Sequence, residues 1–253
     1  MFIFSPLFWL SCKGEKKWTP SSALDEYVRQ MKDKLFYSIE ISPKDSGFWI
    51  GTCWNLYQLT EDSCFFREAE KSMQLMRPVC EYEILDTDKA LYLYWAFSKG
   101  FDITGKRRYK YEIWNLAERL LADSLYINNK TIEILLWGTA RKGCHCFREE
   151  ALRWISQQSM PTTVEDMQGL ASLYLYTDSL IYLNKILDID VETVARSFSD
   201  SIRIISIYTQ LMHKSYDKKI QNKISSLLLN PIDFSKFSLE DCFYYSGVFL
   251  EKD

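Results

Sequence analysis

Apolar positions recur along this chain with the spacing of helices rather than strands. Leu24, Tyr27, Val28, Met31 and Leu35 follow one another at i, i+3, i+4, i+7 and i+11, a single stripe on a helix. Ser22 offers an N-cap with Asp25 three residues on, so the helix is expected to begin there, after a polar stretch that ends in Thr19-Pro20. Trp49, Cys53, Leu56 and Tyr57 form a second helical pattern before the turn Thr60-Glu-Asp-Ser63. Then a repeat appears. Phe65-Phe-Arg-Glu-Ala69 returns as Tyr109-Lys-Tyr-Glu-Ile113 and as Phe147-Arg-Glu-Glu-Ala151, with a fainter copy from Val191 to Ala195. Each of the first three follows a turn, and the period of about forty residues is that of stacked helical hairpins, which bury their apolar faces only against neighbours.

Two all-α architectures fit such a repeat: an open solenoid and a closed (α/α) toroid. The copies diverge outside the aromatic and glutamate positions, which favours the toroid. Only 9 Gly and 6 Pro occur in 253 residues, too few for the turns of a sandwich or barrel of short strands. With 34 acids against 31 bases the net charge is -3, and no basic face is apparent, so nucleic acid is not an expected partner.

At the N-terminus an apolar run from Met1 to Leu10 stops at Ser11-Cys12 and turns abruptly charged at Lys13-Gly-Glu-Lys-Lys17. It is too short to cross a bilayer as a helix. It resembles a secretory signal ending in a bacterial lipobox, with Cys12 as the lipidated residue. Residues 1–20 are therefore expected to be a signal and linker, and residues 21–253 a single toroid domain. The expected location is the bacterial cell envelope, with membrane contact only through a lipid at Cys12. A buried N-terminal segment is the alternative.

The remaining cysteines show no disulfide framework of a small domain. Cys144-His145-Cys146 is the one cluster with the look of metal ligands, yet the chain has 2 His and no second pair nearby, so a turn with half-buried thiols is expected and no metal. The same scarcity leaves His213 as the sole candidate base for a Ser-His or Cys-His scheme, with no Gly-flanked nucleophile beside it.

Several segments together resemble the unsaturated glucuronyl hydrolases, glycoside hydrolase families 88 and 105. Gly47-Phe-Trp-Ile-Gly51-Thr-Cys-Trp54-Asn-Leu-Tyr57 is similar to their early helix-turn signature, and Thr87-Asp88-Lys-Ala-Leu91 to the short motif whose aspartate opens an inner helix. Ile132-Glu-Ile-Leu-Leu-Trp137 looks like the next inner helix, and Tyr244-Tyr-Ser-Gly-Val-Phe249-Leu-Glu251 like the closing segment.

The resemblance implies a toroid whose inner-helix ends form a cup for a sugar, incomplete relative to six hairpins because the chain is short. It implies an exo-acting hydrolase that removes a terminal unsaturated uronate from lyase-generated oligosaccharides, without metal or cofactor. Asp88 is the implied acid and base, although its position also suits a helix N-cap. The second aspartate of the family falls by ungapped match on Ile127, so Asp123 is the nearest candidate. Trp49 and Trp54 are candidates to stack on the sugar, and Gln168 of Met167-Gln-Gly169 matches a Gln-Gly stretch of the family. The Trp-Ala-Arg-Gly that should follow is absent. A catalytically inactive relative that binds glycan or protein, and an open helical scaffold, are the competing readings.

Overall fold

The computed structural model describes residues 20–36, 43–82, 86–122, 127–142, 145–156, 162–215, 218–227 and 237–250. Cys12 and Asp123 lie outside them. Among the described residues every regular element is helical. The elements in chain order are α1 (Pro20–Phe36), α2 (Pro43–Thr60), α3 (Ser63–Tyr82), α4 (Thr87–Thr104), α5 (Arg107–Ala122), α6 (Ile132–Lys142) and α7 (His145–Ser156). They continue with α8 (Val164–Thr177), α9 (Leu180–Leu187), α10 (Val191–Val194), α11 (Phe198–Lys214), α12 (Lys218–Leu227) and α13 (Leu239–Leu250).

Inner and outer helices are told apart by how much of their circumference is apolar. In α4 the run Ala90 to Phe97 is buried without a break, as expected of a helix covered on all sides. In α5 only Tyr109, Ile113, Leu116, Ala117 and Leu120 are buried, one stripe of an otherwise polar helix. α2, α4, α6, α8, α11 and α13 form the inner ring, and α13 packs back against α2 to close it. The toroid is thus complete in its inner helices. Among the described residues α9, with 8 residues, is shorter than its inner neighbour α8, with 14.

The sequence repeat marks where each outer helix docks. Phe65, Tyr109 and Phe147 are buried, and so are Ala69, Ile113 and Ala151 one turn on. Glycines on the inner helices admit the rings: a Cβ on Gly100 would lie 3.2 Å from the Tyr109 ring, and one on Gly138 would lie 3.0 Å from that of Phe147. Glu70 on α3 ties the neighbouring hairpin down, accepting from Lys106 Nζ at 2.5 Å and from the Tyr109 hydroxyl at 2.7 Å.

The helix ends are chemically defined. Asp86 caps α4 by accepting from the Lys89 amide at 2.6 Å, and Gly105 ends it in the left-handed region at φ 64. Thr163 and Asp166 form a capping box on α8, and Ser238 and Asp241 do the same at α13. Position 88, expected as a cap on sequence grounds, is a first-turn residue instead, because the capping geometry falls two residues earlier.

The seam between first and last inner helices is tight. Tyr27 of α1 donates to the Cys242 carbonyl at 2.7 Å, and Asn55 Nδ2 donates to Ser246 Oγ at 2.9 Å. The Phe243 ring lies flush on α2 at Gly51, where a Cβ would be 2.5 Å from it. At Gly47 a Cβ would fall 2.4 Å from the Tyr92 carbonyl oxygen of α4. Gly47→Ala is therefore expected to lower stability by roughly 1–3 kcal/mol, the usual penalty for overpacking where backbone must move. Urea unfolding at constant m-value checks it.

Candidate functional site

The inner ring encloses a cavity of about 170 Å³ to which all six inner helices contribute. That is enough for a six-membered ring, since a cavity of about 150 Å³ admits benzene. Its walls carry Trp95, Trp137, Phe243 and Tyr244. Between them stand the amides of Asn55, Gln168 and Gln210, the hydroxyls of Ser98, Ser172 and Ser206, and the charged Lys99, Asp102 and Glu133. Asp102 and Gln210 are solvent-exposed and lie in the later turns of α4 and α11.

Glu133 is the central ionisable group. It sits in the first turn of α6, half-buried, and accepts a hydrogen bond from the Tyr94 hydroxyl at 3.1 Å. Burial of its carboxyl outweighs the opposing pull of Tyr94, Gln168 and the Lys99 charge, and it holds its proton to a higher pH than an ordinary glutamate. Tyr94, pushed up first by burial and then by Glu133, remains a phenol and a donor. Lys99 lies on the same wall, in no ion pair among the described residues.

Gln168 connects this carboxyl to a second polar group. Its Oε1 accepts from Arg203 Nη2 and from the Tyr244 hydroxyl, each at 3.4 Å. Arg203 is 8% exposed, lies 5.4 Å from the Tyr244 ring centre and is held by Glu165 at 2.7 Å. Burial would raise the Glu165 carboxyl, but the charge and hydrogen bond of Arg203 outweigh it and keep it ionised to lower pH.

Of the residues expected from sequence that lie among the described ones, Gln168 lines the cavity, and Asp88, Trp49 and Trp54 do not. Asp88 is exposed in the first turn of α4 and paired with Lys130 Nζ at 3.1 Å. Trp49 and Trp54 are 2% and 0% exposed and belong to the core. The indole of Trp54 meets the Phe66 ring of α3 edge-on at 5.4 Å, so it points away from the ring axis. The tryptophans at the cavity are Trp95 and Trp137. His145 is exposed and Cys146 is disulfide-bonded, in place of the free thiols expected at that turn. Among the described residues no group of three or more His, Cys, Asp and Glu is placed to hold a metal ion.

Glu133, Lys99 and Asp102 were not singled out by sequence reasoning. The signal was present. Glu133 is a lone carboxylate within Ile132-Glu-Ile-Leu-Leu-Trp137, and a charge inside an all-round apolar helix requires a buried partner or a function.

No family model and no curated protein matches the sequence. Solved structures do. An unsaturated glucuronyl hydrolase specific for heparin superposes with a TM-score of 0.71 at 11% identity, over 91% of this chain and 96% of that one. The unsaturated glucuronyl hydrolase of Streptococcus agalactiae gives 0.73 at 11% identity, over 99% and 96%. The GH76A alpha-1,6-mannanase of Salegentibacter sp. HEL1_6 gives 0.71 at 10% identity, over 90% and 98%. The chain therefore has the helical toroid fold of these glycoside hydrolases, at 10–11% sequence identity. That fold carries more than one sugar specificity, so it does not choose a substrate.

The raised Glu133 carboxyl has a measurable consequence. Between the ordinary glutamate range and its higher folded-state value, the folded protein binds more protons than the unfolded chain, so stability falls as pH rises through that window. Glu133→Gln removes this dependence. Relative to wild type, the variant is expected to gain stability steadily from acid to neutral pH in a urea-unfolding series, and parallel profiles would refute the assignment.

Proposed function

We propose that this protein is a glycoside hydrolase that acts at the end of an oligosaccharide, with the inner-ring cavity as its sugar pocket and Glu133 as its proton donor. The observation that carries the reading is Glu133 itself, a carboxyl that burial makes hold its proton to higher pH than an ordinary glutamate, beside aromatic walls suited to the faces of a pyranose. Asp102 at the exposed edge supplies the second carboxylate, and Lys99 supplies a cation for an acidic sugar.

The substrate we propose is a terminal unsaturated uronate of the kind polysaccharide lyases leave. Glu133 gives its proton to C4 of the C4–C5 vinyl ether, and water adds at C5 while losing a proton to the carboxylate so formed. The C5 hemiketal then collapses, the ring opens, and the hemiacetal at C1 releases the remaining sugar. Lys99 pairs with the uronate carboxylate. An envelope location is part of the proposal and agrees with the disulfide at Cys146, since such bonds persist in oxidising compartments.

A second reading is a glycan-binding relative without turnover. The feature in its favour is Asp88, which is tied to Lys130 at the surface rather than presented to the cavity.

Turnover of lyase-derived unsaturated disaccharides bleaches the ultraviolet absorbance of their double bond. Wild type is expected to bleach it and Glu133→Gln to be slower by a factor of about 10²–10⁴, the range for loss of a positioned acid. Asp88→Asn is expected to stay within about twofold, as an exposed ion pair contributes little. If Asp88→Asn abolishes bleaching and Glu133→Gln does not, the site lies around Asp88 and not in this cavity. If binding is measurable without bleaching, the second reading holds.

A further inference from the structure

The cavity has a second chemical character on the wall made by α2, α11 and α13. Asn55 is fully buried there, and its Nδ2 is committed to Ser246 Oγ at 2.9 Å and to the Phe243 carbonyl at 3.4 Å. Its Oδ1 has no hydrogen-bond partner. An unmet acceptor of this kind costs roughly 1–3 kcal/mol, so it calls for a ligand donor. Ser206 of α11, 4% exposed, also lines the cavity, and its hydroxyl makes no hydrogen bond among the described residues. By contrast, Thr209 of the same helix bonds back to the Ile205 carbonyl at 2.8 Å.

Between the two stands Gly247 in the interior of α13. Glycine there costs about 0.5–1 kcal/mol relative to alanine, and no close packing demands it. A Cβ at Gly247 would meet nothing nearer than Ser206 Oγ at 3.9 Å and Asn55 Nδ2 at 4.0 Å. The missing methyl leaves a methyl-sized space at van der Waals distance from Ser206 Oγ and from the Asn55 amide, whose Oδ1 is the unmet atom. Ring order sets this wall opposite the charged one: α13 stands across the axis from α6, which carries Glu133, and α11 across from α4, which carries Lys99.

We infer that Asn55, Ser206 and Gly247 form a neutral subsite that recognises one hydroxyl of the bound sugar, donating to Asn55 Oδ1 and accepting from Ser206 Oγ. A hydroxyl supplies both functions from one atom, whereas a carboxylate or sulfate has no proton to give Asn55 and would place two acceptors face to face. The bound ring is thus oriented with an acidic end toward Lys99 and an alcohol toward Ser206. Gly247 keeps that corner wide enough for the hydroxyl. The inference rests on the reading of this cavity as the sugar pocket.

Asn55 also holds the ring seam, so the test uses Ser206→Ala and Gly247→Ala, with circular dichroism and urea unfolding to confirm the fold. Direct binding by calorimetry and steady-state bleaching are measured with one lyase-derived unsaturated disaccharide that wild type binds, and with its singly deoxygenated and O-sulfated analogues. The expected result is a KM and Kd raised three- to tenfold by Ser206→Ala and at least tenfold by Gly247→Ala, with kcat within twofold. One deoxy analogue binds wild type three- to tenfold more weakly and is insensitive to Ser206→Ala, and sulfation of that same hydroxyl abolishes binding. If both variants bind all the sugars as wild type does, the subsite is overturned while the pocket stands. If wild type binds none of them, the pocket reading fails and the subsite with it.

Discussion

The seam between α13 and α2 is the contact on which the rest of the molecule depends. Phe243 lies against Gly51, Asn55 reaches Ser246, and Tyr27 reaches the Cys242 carbonyl. Closed there, the six inner helices become a ring with an interior. The Phe243 ring that seals the joint also stacks on Trp95 at 4.8 Å, so one side chain closes the fold and walls the cavity. Asn55 has the same double position.

Burial then decides the chemistry. The cavity wall is partly aromatic, and burial there makes the Glu133 carboxyl hold its proton to higher pH than an ordinary glutamate. Burial also penalises every polar atom without a partner. The polar atoms of the ring therefore fall into two groups: those committed to protein partners, such as the Arg203 Nη atoms between Glu165 and Gln168, and those with unmet capacity at the cavity wall, such as Asn55 Oδ1. The first group fixes the scaffold, and the second is where a ligand gains.

Much of the frame was legible in the sequence. The returning Phe65, Tyr109 and Phe147 announced the hairpins because each ring is the docking knob of an outer helix, and a docking knob must repeat when the hairpin does. The site was less legible. Asp88 and Trp49 stand in segments whose pattern resembles that of the glucuronyl hydrolases, yet the side-chain direction at a helix start depends on where the cap falls, and Asp86 rather than Asp88 holds it. Trp54 is separated from the axis by a rotation of α2 that periodicity alone does not define. Glu133 stood out as a charge among Ile132, Ile134, Leu135 and Leu136, yet an acid in the first turn of a helix also has an ordinary explanation in the helix dipole. The pairing of Asn55 with Ser206 and Gly247 depends on ring closure between helices remote in sequence and had no local trace.

Remoteness has a kinetic side as well. Asn55 and Ser246 are 191 positions apart, so the ring can be sealed only when nearly the whole chain is available. Until then the apolar inner faces of α2 and α4 have no cover, and contacts of such long sequence separation form late. A growing chain must spend that interval in a form prone to aggregation. A ribosomal stall or a proteolytic nick before α13 would leave an unsealed ring for quality control to clear, rather than a smaller working protein.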